Sequence, residues 1–91
     1  RPREKDVLAL LYYYNFKHKD IPEEYRDTIT FSSEVKKDIA LKLDGMSMDN
    51  LYNILLVLRK KNLIIGETFN KTYLKAIENI DSITFEFIVN D

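Results

Sequence analysis

Residues 39–64, IALKLDGMSMDNLYNILLVLRKKNLI, decide how this chain is read, because they spell out two helices and the turn between them. Ile39, Ala40 and Leu43 fall at helical intervals and run into Asp44-Gly45, a pair that accepts the positive φ of a sharp turn at low steric cost. The first helix ends there. Ser47 follows, and its hydroxyl can accept a hydrogen bond from the backbone N–H of Asp49 or Asn50, capping a new helix. Beyond the cap, Leu51, Ile54, Leu55 and Leu58 repeat as i, i+3, i+4 and i+7, the apolar stripe of a helix lying on a core. Arg59, Lys60 and Lys61 place positive charge in the last turn, where it complements the helix dipole. Asn62 is the expected stop, since asparagine tolerates the left-handed conformation that closes many helices.

This order of residues resembles the winged helix-turn-helix domains of bacterial and phage transcription regulators and replication proteins. Their motif reads roughly Ile-Ala, two polar residues, Leu-Gly-apolar-Ser, a helix with apolar residues at fixed offsets, and a Lys-Gly-Leu-Ile exit. Ile39-Ala40, Leu43, Met46-Ser47, Leu51, Leu55, Leu58 and 61–64 occupy the matching positions. Asp44 is an extra residue in the turn, and Asn62 stands where glycine is usual. The resemblance covers the middle of the chain and implies an α+β fold: a small winged helix-turn-helix of three helices with a short β-sheet wing. Winged helices also serve as protein-binding modules, so the resemblance bears on fold more than on function.

A chain of 91 residues is expected to form one domain, residues 1–91, with a single core. It opens Arg1-Pro2 without an initiator methionine, which leaves open a piece excised from a longer protein. There is no cysteine, hence no disulfide framework and no thiolate zinc site. A reducing cytoplasm is the expected location. No apolar run approaches the roughly twenty residues of a membrane span, and nothing resembles a signal peptide.

Charge runs against the simplest reading. DNA binders rely on Lys and Arg contacts to phosphates, whereas this chain carries a formal charge of −1. Its positive residues gather at Arg1, Arg3 and Lys5, at Lys17, His18 and Lys19, at Lys36 and Lys37, at Arg59, Lys60 and Lys61, and at Lys71 and Lys75. Acidic residues dominate 20–27 and 78–91. Such segregation can leave one basic face.

Residues 3–16 form a helix candidate with Val7, Leu10, Leu11 and Tyr14 on one face. Leu8, Tyr12, Tyr13 and Phe16 lie on its other faces, so the helix is apolar around most of its circumference. Such a helix is buried on more than one side, and the expected second cover is a homodimer partner or the rest of a parent protein. Residues 17–28 are polar, contain Ile21-Pro22 and read as a connecting loop, with at most a turn of helix at 23–26. Residues 28–31 alternate β-branched and aromatic side chains and read as a short strand. Ser32 or Ser33 then caps the helix that runs to about Leu43. After Asn62, residues 63–69 read as a strand, Asn70-Lys71 as a turn and residues 83–89 as a second strand, the two making the wing. Periodicity leaves 72–79 open between a short strand and a helical turn.

Three groups of residues carry functional readings. The outward face of the second motif helix, about 47–61, holds Asp49, Asn53, Leu56 and Lys60, with Asn50, Tyr52 and Val57 on its flanks. Asn50 and Asn53 suit bidentate reading of adenine N6 and N7 in a major groove, and Lys60 suits a phosphate. The same face also reads as an ordinary solvated surface, while Leu56 and Val57 fit a protein partner or thymine methyl groups. Asn70, Lys71, Tyr73 and Lys75 form a wing turn that can touch the minor groove or the sugar-phosphate, or a polar loop over a buried Tyr73. Ser32, Ser33, Lys36 and Lys37 can hold a phosphate at a helix N-terminus, although capping explains both serines.

Catalysis is not expected. His18, the single histidine, sits among Lys17, Lys19 and Asp20, as in a solvated loop, and the two glycines form no phosphate loop. No metal-ligand spacing or carboxylate pair is visible, and no cofactor is implied. The expectation is double-stranded DNA binding through Ser47, Asn50, Tyr52, Asn53, Lys60, Lys71 and Lys36, in regulation of transcription or of replication initiation in a phage, plasmid or bacterium. The alternative is a winged helix used as a protein assembly module, with Leu8, Tyr12, Tyr13, Phe16, Leu56 and Val57 as its contact surface.

Overall fold

The computed structural model describes residues 2–70, 74–78 and 83–87. These form an α+β arrangement of four helices followed by two small antiparallel hairpins. The helices are α1 (Pro2–Lys17), α2 (Glu23–Thr30), α3 (Ser33–Lys42) and α4 (Met48–Lys60). The strands are β1 (Ile64–Ile65), β2 (Thr68–Phe69), β3 (Leu74–Glu78) and β4 (Ile83–Phe87).

The boundaries of α3 and α4 follow from local chemistry. Ser32 caps α3 by accepting from the Val35 N–H at 3.4 Å, and Ser47 caps α4 by accepting from the Asn50 N–H at 3.1 Å. At the end of α3, Asp44 and Gly45 both take positive φ, 61° and 70°, and the Met46 N–H turns back to donate to the Ala40 carbonyl at 2.9 Å. At the end of α4, Asn62 adopts φ 61°. The Leu63 N–H then reaches the Leu58 carbonyl and the Asn62 N–H the Arg59 carbonyl, both at 3.0 Å, the paired closure of a Schellman motif. The backbone is thereby fixed on both sides of α4.

All four helices and the first hairpin meet in one core. Leu51, Leu55 and Leu58 of α4 are fully buried against Val7, Leu8 and Leu11 of α1 and Ile39 and Ala40 of α3, with Phe31, Leu43, Leu63, Ile64 and Phe69 completing it. Each fully buried leucine contributes roughly 1.5–3 kcal/mol relative to an exposed one. The apolar girth of α1, expected to need an outside cover, is met within the chain, since α1 packs against α2, α3 and α4. Leu8 is 1% exposed and is a core residue, which removes it from the expected interface. Tyr12 stacks on Phe69 with ring centroids 4.0 Å apart, and Phe16 is half-buried beneath the Lys19 ammonium. Tyr13, 42% exposed, is the member of that set in α1 that remains on the surface.

Residues 23–30 depart from expectation: they form helix α2 instead of loop and strand, so there are four helices rather than three. The physical reason lies in which side chains face inward. Arg26, Asp27, Ile29 and Thr30 turn toward the protein, so three of the four inward groups are polar and the spacing of apolar residues alone does not mark the helix. The Asn15 amide donates to Asp27 Oδ1 at 2.9 Å and to Thr30 Oγ1 at 3.1 Å. Thr68 Oγ1 donates to Asp27 Oδ2 at 2.7 Å, and Thr30 Oγ1 donates to the Arg26 carbonyl at 2.9 Å. Thr30 is fully buried with both its hydrogen-bonding roles filled. The strand propensity of residues 28–31 yields to this network and to burial of Phe31.

The strand pairing also differs. Residues 63–69, expected as one strand of a wing, fold back on themselves, pairing Ile64 with Phe69 and Ile65 with Thr68. The two-residue loop Gly66-Glu67 permits this: Gly66 takes φ 61° while Glu67 does not take positive φ, the pattern of a type II′ hairpin. Residues 74–78 form a strand, and β3 pairs with β4 in the register Leu74 to Phe87 through Glu78 to Ile83. Among the described residues, β4 therefore pairs within a second sheet and not with residues 63–69. No helix among these residues is long and apolar enough to cross a membrane.

Candidate nucleic-acid interface

The serine cap and the Schellman closure hold α4 with its leucine stripe inward, which obliges the residues half a turn away to face out. Ser47, Asp49, Asn50, Asn53 and Lys60 are all exposed. Leu56 is 53% exposed and Tyr52 43%, while Val57 is half-buried between the two faces. From Asn50 to Lys60 the helix advances about 15 Å at 1.5 Å per residue. The side-chain amides of Asn50 and Asn53 and the Lys60 ammonium have no protein partner among the described residues.

Helix α3 adds positive charge to this surface. Lys36 Nζ lies 5.3 Å from the centroid of the Tyr52 ring, so Lys36 and Tyr52, sixteen positions apart in the sequence, meet across the helix pair. A cation over an aromatic face is held in place at modest cost, and Tyr52 thereby presents the ammonium beside the N-terminal half of α4. Ser33 and Lys37, at the start of α3, are exposed as well.

Most of the other basic clusters are occupied. Arg3 pairs with Asp44 at 3.0 Å and Lys61 with Glu4 at 2.6 Å. Arg26 donates to the Lys19 and Ile21 carbonyls, which holds the connection between α1 and α2. Arg59 Nε donates to the Gly66 carbonyl at 3.0 Å, tying α4 to the first hairpin. The formally basic exit of α4 thus reduces to Lys60 as its freely presented cation. A run of three positive residues in sequence does not become a run of three on the surface.

Of the expected wing turn, Asn70 and Lys75 fall among the described residues. Asn70 is half-buried, its backbone N–H donating to the Leu63 carbonyl at 3.0 Å and its side-chain amide to the Asn62 carbonyl at 2.7 Å. Its two hydrogen bonds tie it to the segment that ends α4. Lys71 and Tyr73 lie outside the described residues, and Lys75 sits in β3 in register with Glu86.

A second basic and aromatic group lies where α1 and α3 meet, and the sequence reading did not nominate it. The Tyr14 hydroxyl donates to Asp38 Oδ2 at 2.5 Å, and the Lys17 and Lys42 ammoniums stand 5.3 Å and 5.7 Å from the Tyr14 ring centroid. Burial first, then the Asp38 hydrogen bond, raises the Tyr14 pKa above its ordinary value. Lys42 is likewise held above its ordinary value, by the Tyr14 hydroxyl first and then by the Asp38 charge. Asp38 is four residues before Lys42 and twenty-four after Tyr14, so only the nearer pairing was open to spacing arguments. Across the core, burial and the Asp27 charge push the Tyr12 phenol up to about 12.

Comparison of the chain with protein-family models, with curated proteins and with solved structures returns no significant match.

Proposed function

We propose that this chain is a winged helix-turn-helix domain that binds double-stranded DNA, with α4 entering the major groove and α3 lying across its entrance. The observation that carries the reading is the division of α4 into a buried leucine stripe and an opposite face of uncommitted polar groups, Asn50, Asn53 and Lys60. Ser47 marks the N-terminus of that helix, where the dipole favours a phosphate oxygen. Lys36, steadied on Tyr52, and Lys37 are suited to the adjacent strand of the backbone. Asn50 and Asn53 are suited to base edges, which are read by paired donors and acceptors. Regulation of transcription or of replication initiation is the corresponding role.

Few cations take part, so the electrostatic contribution is modest. Lys36, Lys37 and Lys60, each neutralising one phosphate, give a slope of log affinity on log salt of about −3. In fluorescence anisotropy with a labelled random-sequence duplex, the expected dissociation constant at low salt is about 1 to 100 µM, weakening toward physiological salt with that slope. Asn53→Ala combined with Lys60→Ala should weaken binding by about 1 to 3 kcal/mol with the circular dichroism spectrum unchanged. No binding at low salt by a folded sample overturns the reading.

The second reading is a protein assembly module, and the exposure of Leu56 beside Tyr52 favours it. Leu56→Glu then abolishes capture of the protein partner while leaving the fold intact. Tyr12 does not serve as such a probe, because its stacking on Phe69 makes any substitution there a core substitution.

A further inference from the structure

The outward face of α4 has a composition that discriminates among base pairs, and from it we infer that the helix reads a run of A·T pairs in the major groove. The inference rests on the DNA-binding reading of that helix. Guanine presents two acceptors, O6 and N7, and is read mainly by Arg or Lys forking onto both. The exposed face of α4 offers no arginine for this. Arg59 is held on the Gly66 carbonyl, Lys60 sits in the last turn of the helix, away from its N-terminal half, and the Lys36 ammonium beside that half is engaged on the Tyr52 ring.

The outward face short of that last turn presents a different set. Asn50 and Asn53 are exposed, and a side-chain amide matches the N6 donor and N7 acceptor of adenine in one planar contact. Leu56, 53% exposed, offers methyl groups that match the thymine C5-methyl, a feature absent from cytosine. The three residues are spaced i, i+3 and i+6, so each stands about 4.5 Å further along the helix axis than the one before, comparable with the roughly 3.4 Å rise of successive base pairs. Each step of three also turns about 60° round the axis, so Asn53 lies between Asn50 and Leu56 on an oblique strip, and from that strip the three address neighbouring pairs. Asp49, on the same face, is the group there that suits a cytosine N4 donor, so the site is rich in A·T without excluding a C at its edge. This assignment also accounts for Leu56, an apolar side chain that a phosphate-binding surface alone leaves unexplained.

The test uses the whole chain and three labelled duplexes of equal length: one of A·T pairs, one of G·C pairs, and the A·T duplex with deoxyuridine replacing thymidine. Anisotropy titrations should show the A·T duplex bound about tenfold or more tightly than the G·C duplex, and loss of the thymine methyl weakening binding severalfold. Leu56→Ala should lower affinity for the thymine duplex and leave the deoxyuridine duplex unchanged, while Asn53→Ala should reduce the A·T preference. Equal affinity for A·T and G·C overturns the inference and leaves DNA binding intact. An A·T preference insensitive to deoxyuridine, Leu56→Ala and Asn53→Ala also overturns it, since the preference then arises from groove shape. Failure of a folded sample to bind any of the three removes the DNA-binding reading and this inference with it.

Discussion

Helix α4 is seated by Leu51, Leu55 and Leu58, and its asparagines point away from the protein; helix α2 is seated by Asp27 and Thr30, which Asn15 and Thr68 satisfy. The two helices dock on the same core with opposite chemistry. In α2 the polar groups are consumed in holding the fold, because a buried donor or acceptor must find a partner or carry a desolvation cost. In α4 apolar burial does the holding and the polar groups remain available. A polar side chain on a helix is therefore evidence for a ligand only after the residues seating that helix have been identified.

The sharpest way to break this comparison is to exchange a seating residue for its exposed neighbour. Leu55→Ala should lower unfolding free energy by about 2–5 kcal/mol through lost burial and a residual cavity. Leu56→Ala, one position on, should stay within about 0.5 kcal/mol of the parent. Equal losses in urea denaturation would mean that α4 is not oriented as described. Next in size is Asp27→Ala, expected to cost about 1–3 kcal/mol because it leaves the Thr68 hydroxyl without its acceptor and the Asn15 amide with Thr30 alone. An Asp27→Ala protein as stable as the parent would remove the polar seating of α2.

Alkaline pH probes the same seam through Tyr12, which stacks on Phe69 beside Asp27. Its pKa is raised from the ordinary 10.0 to about 12 in the folded protein, so the folded state holds the proton more tightly than the unfolded chain. Stability from this group is intact below pH 10, falls as pH rises between about 10 and 12, and is lost above the folded value. Tyr14, raised in the same direction, adds to the fall. Thermal melts across that range, followed alongside tyrosinate absorbance, should show melting temperature dropping as the phenols ionise. Ser47→Ala is the smallest of the expected losses, about 1 kcal/mol for loss of an N-cap against the near-neutral Leu56→Ala, and it should leave the melting curve cooperative.

The legibility of the chain follows the same division. The ends of α3 and α4 were readable because Ser32, Asp44-Gly45, Ser47 and Asn62 act within a few residues of their own positions. The burial of Leu51, Leu55 and Leu58 was readable because an apolar stripe repeats at the helical period. Helix α2 was not, since Asp27 is seated by Asn15, twelve positions earlier, and Thr68, forty-one later. The closing of α1 against its own chain was hidden for a similar reason: the Tyr12 partner, Phe69, arrives in a hairpin that depends on Gly66. On the candidate site, the exposed set Ser47, Asn50, Asn53 and Lys60 was legible from helical spacing. The meeting of Lys36 with Tyr52 and the occupation of Arg59 and Lys61 required the folded arrangement, because charge in sequence does not reveal which carboxylate or carbonyl will claim it.

The measurement that bears most directly on the division of α4 is a nitrogen-15 NMR titration of the chain with a short duplex at low salt, following backbone amides and asparagine side-chain amides together. The account predicts that the Asn50 and Asn53 side chains and the amides of Leu56, Lys60, Lys36 and Ser47 shift progressively with added duplex, while Asn15, Asp27 and Thr30 stay in place. Shifts confined to α1 and α2, or none at all in a folded sample, would contradict it.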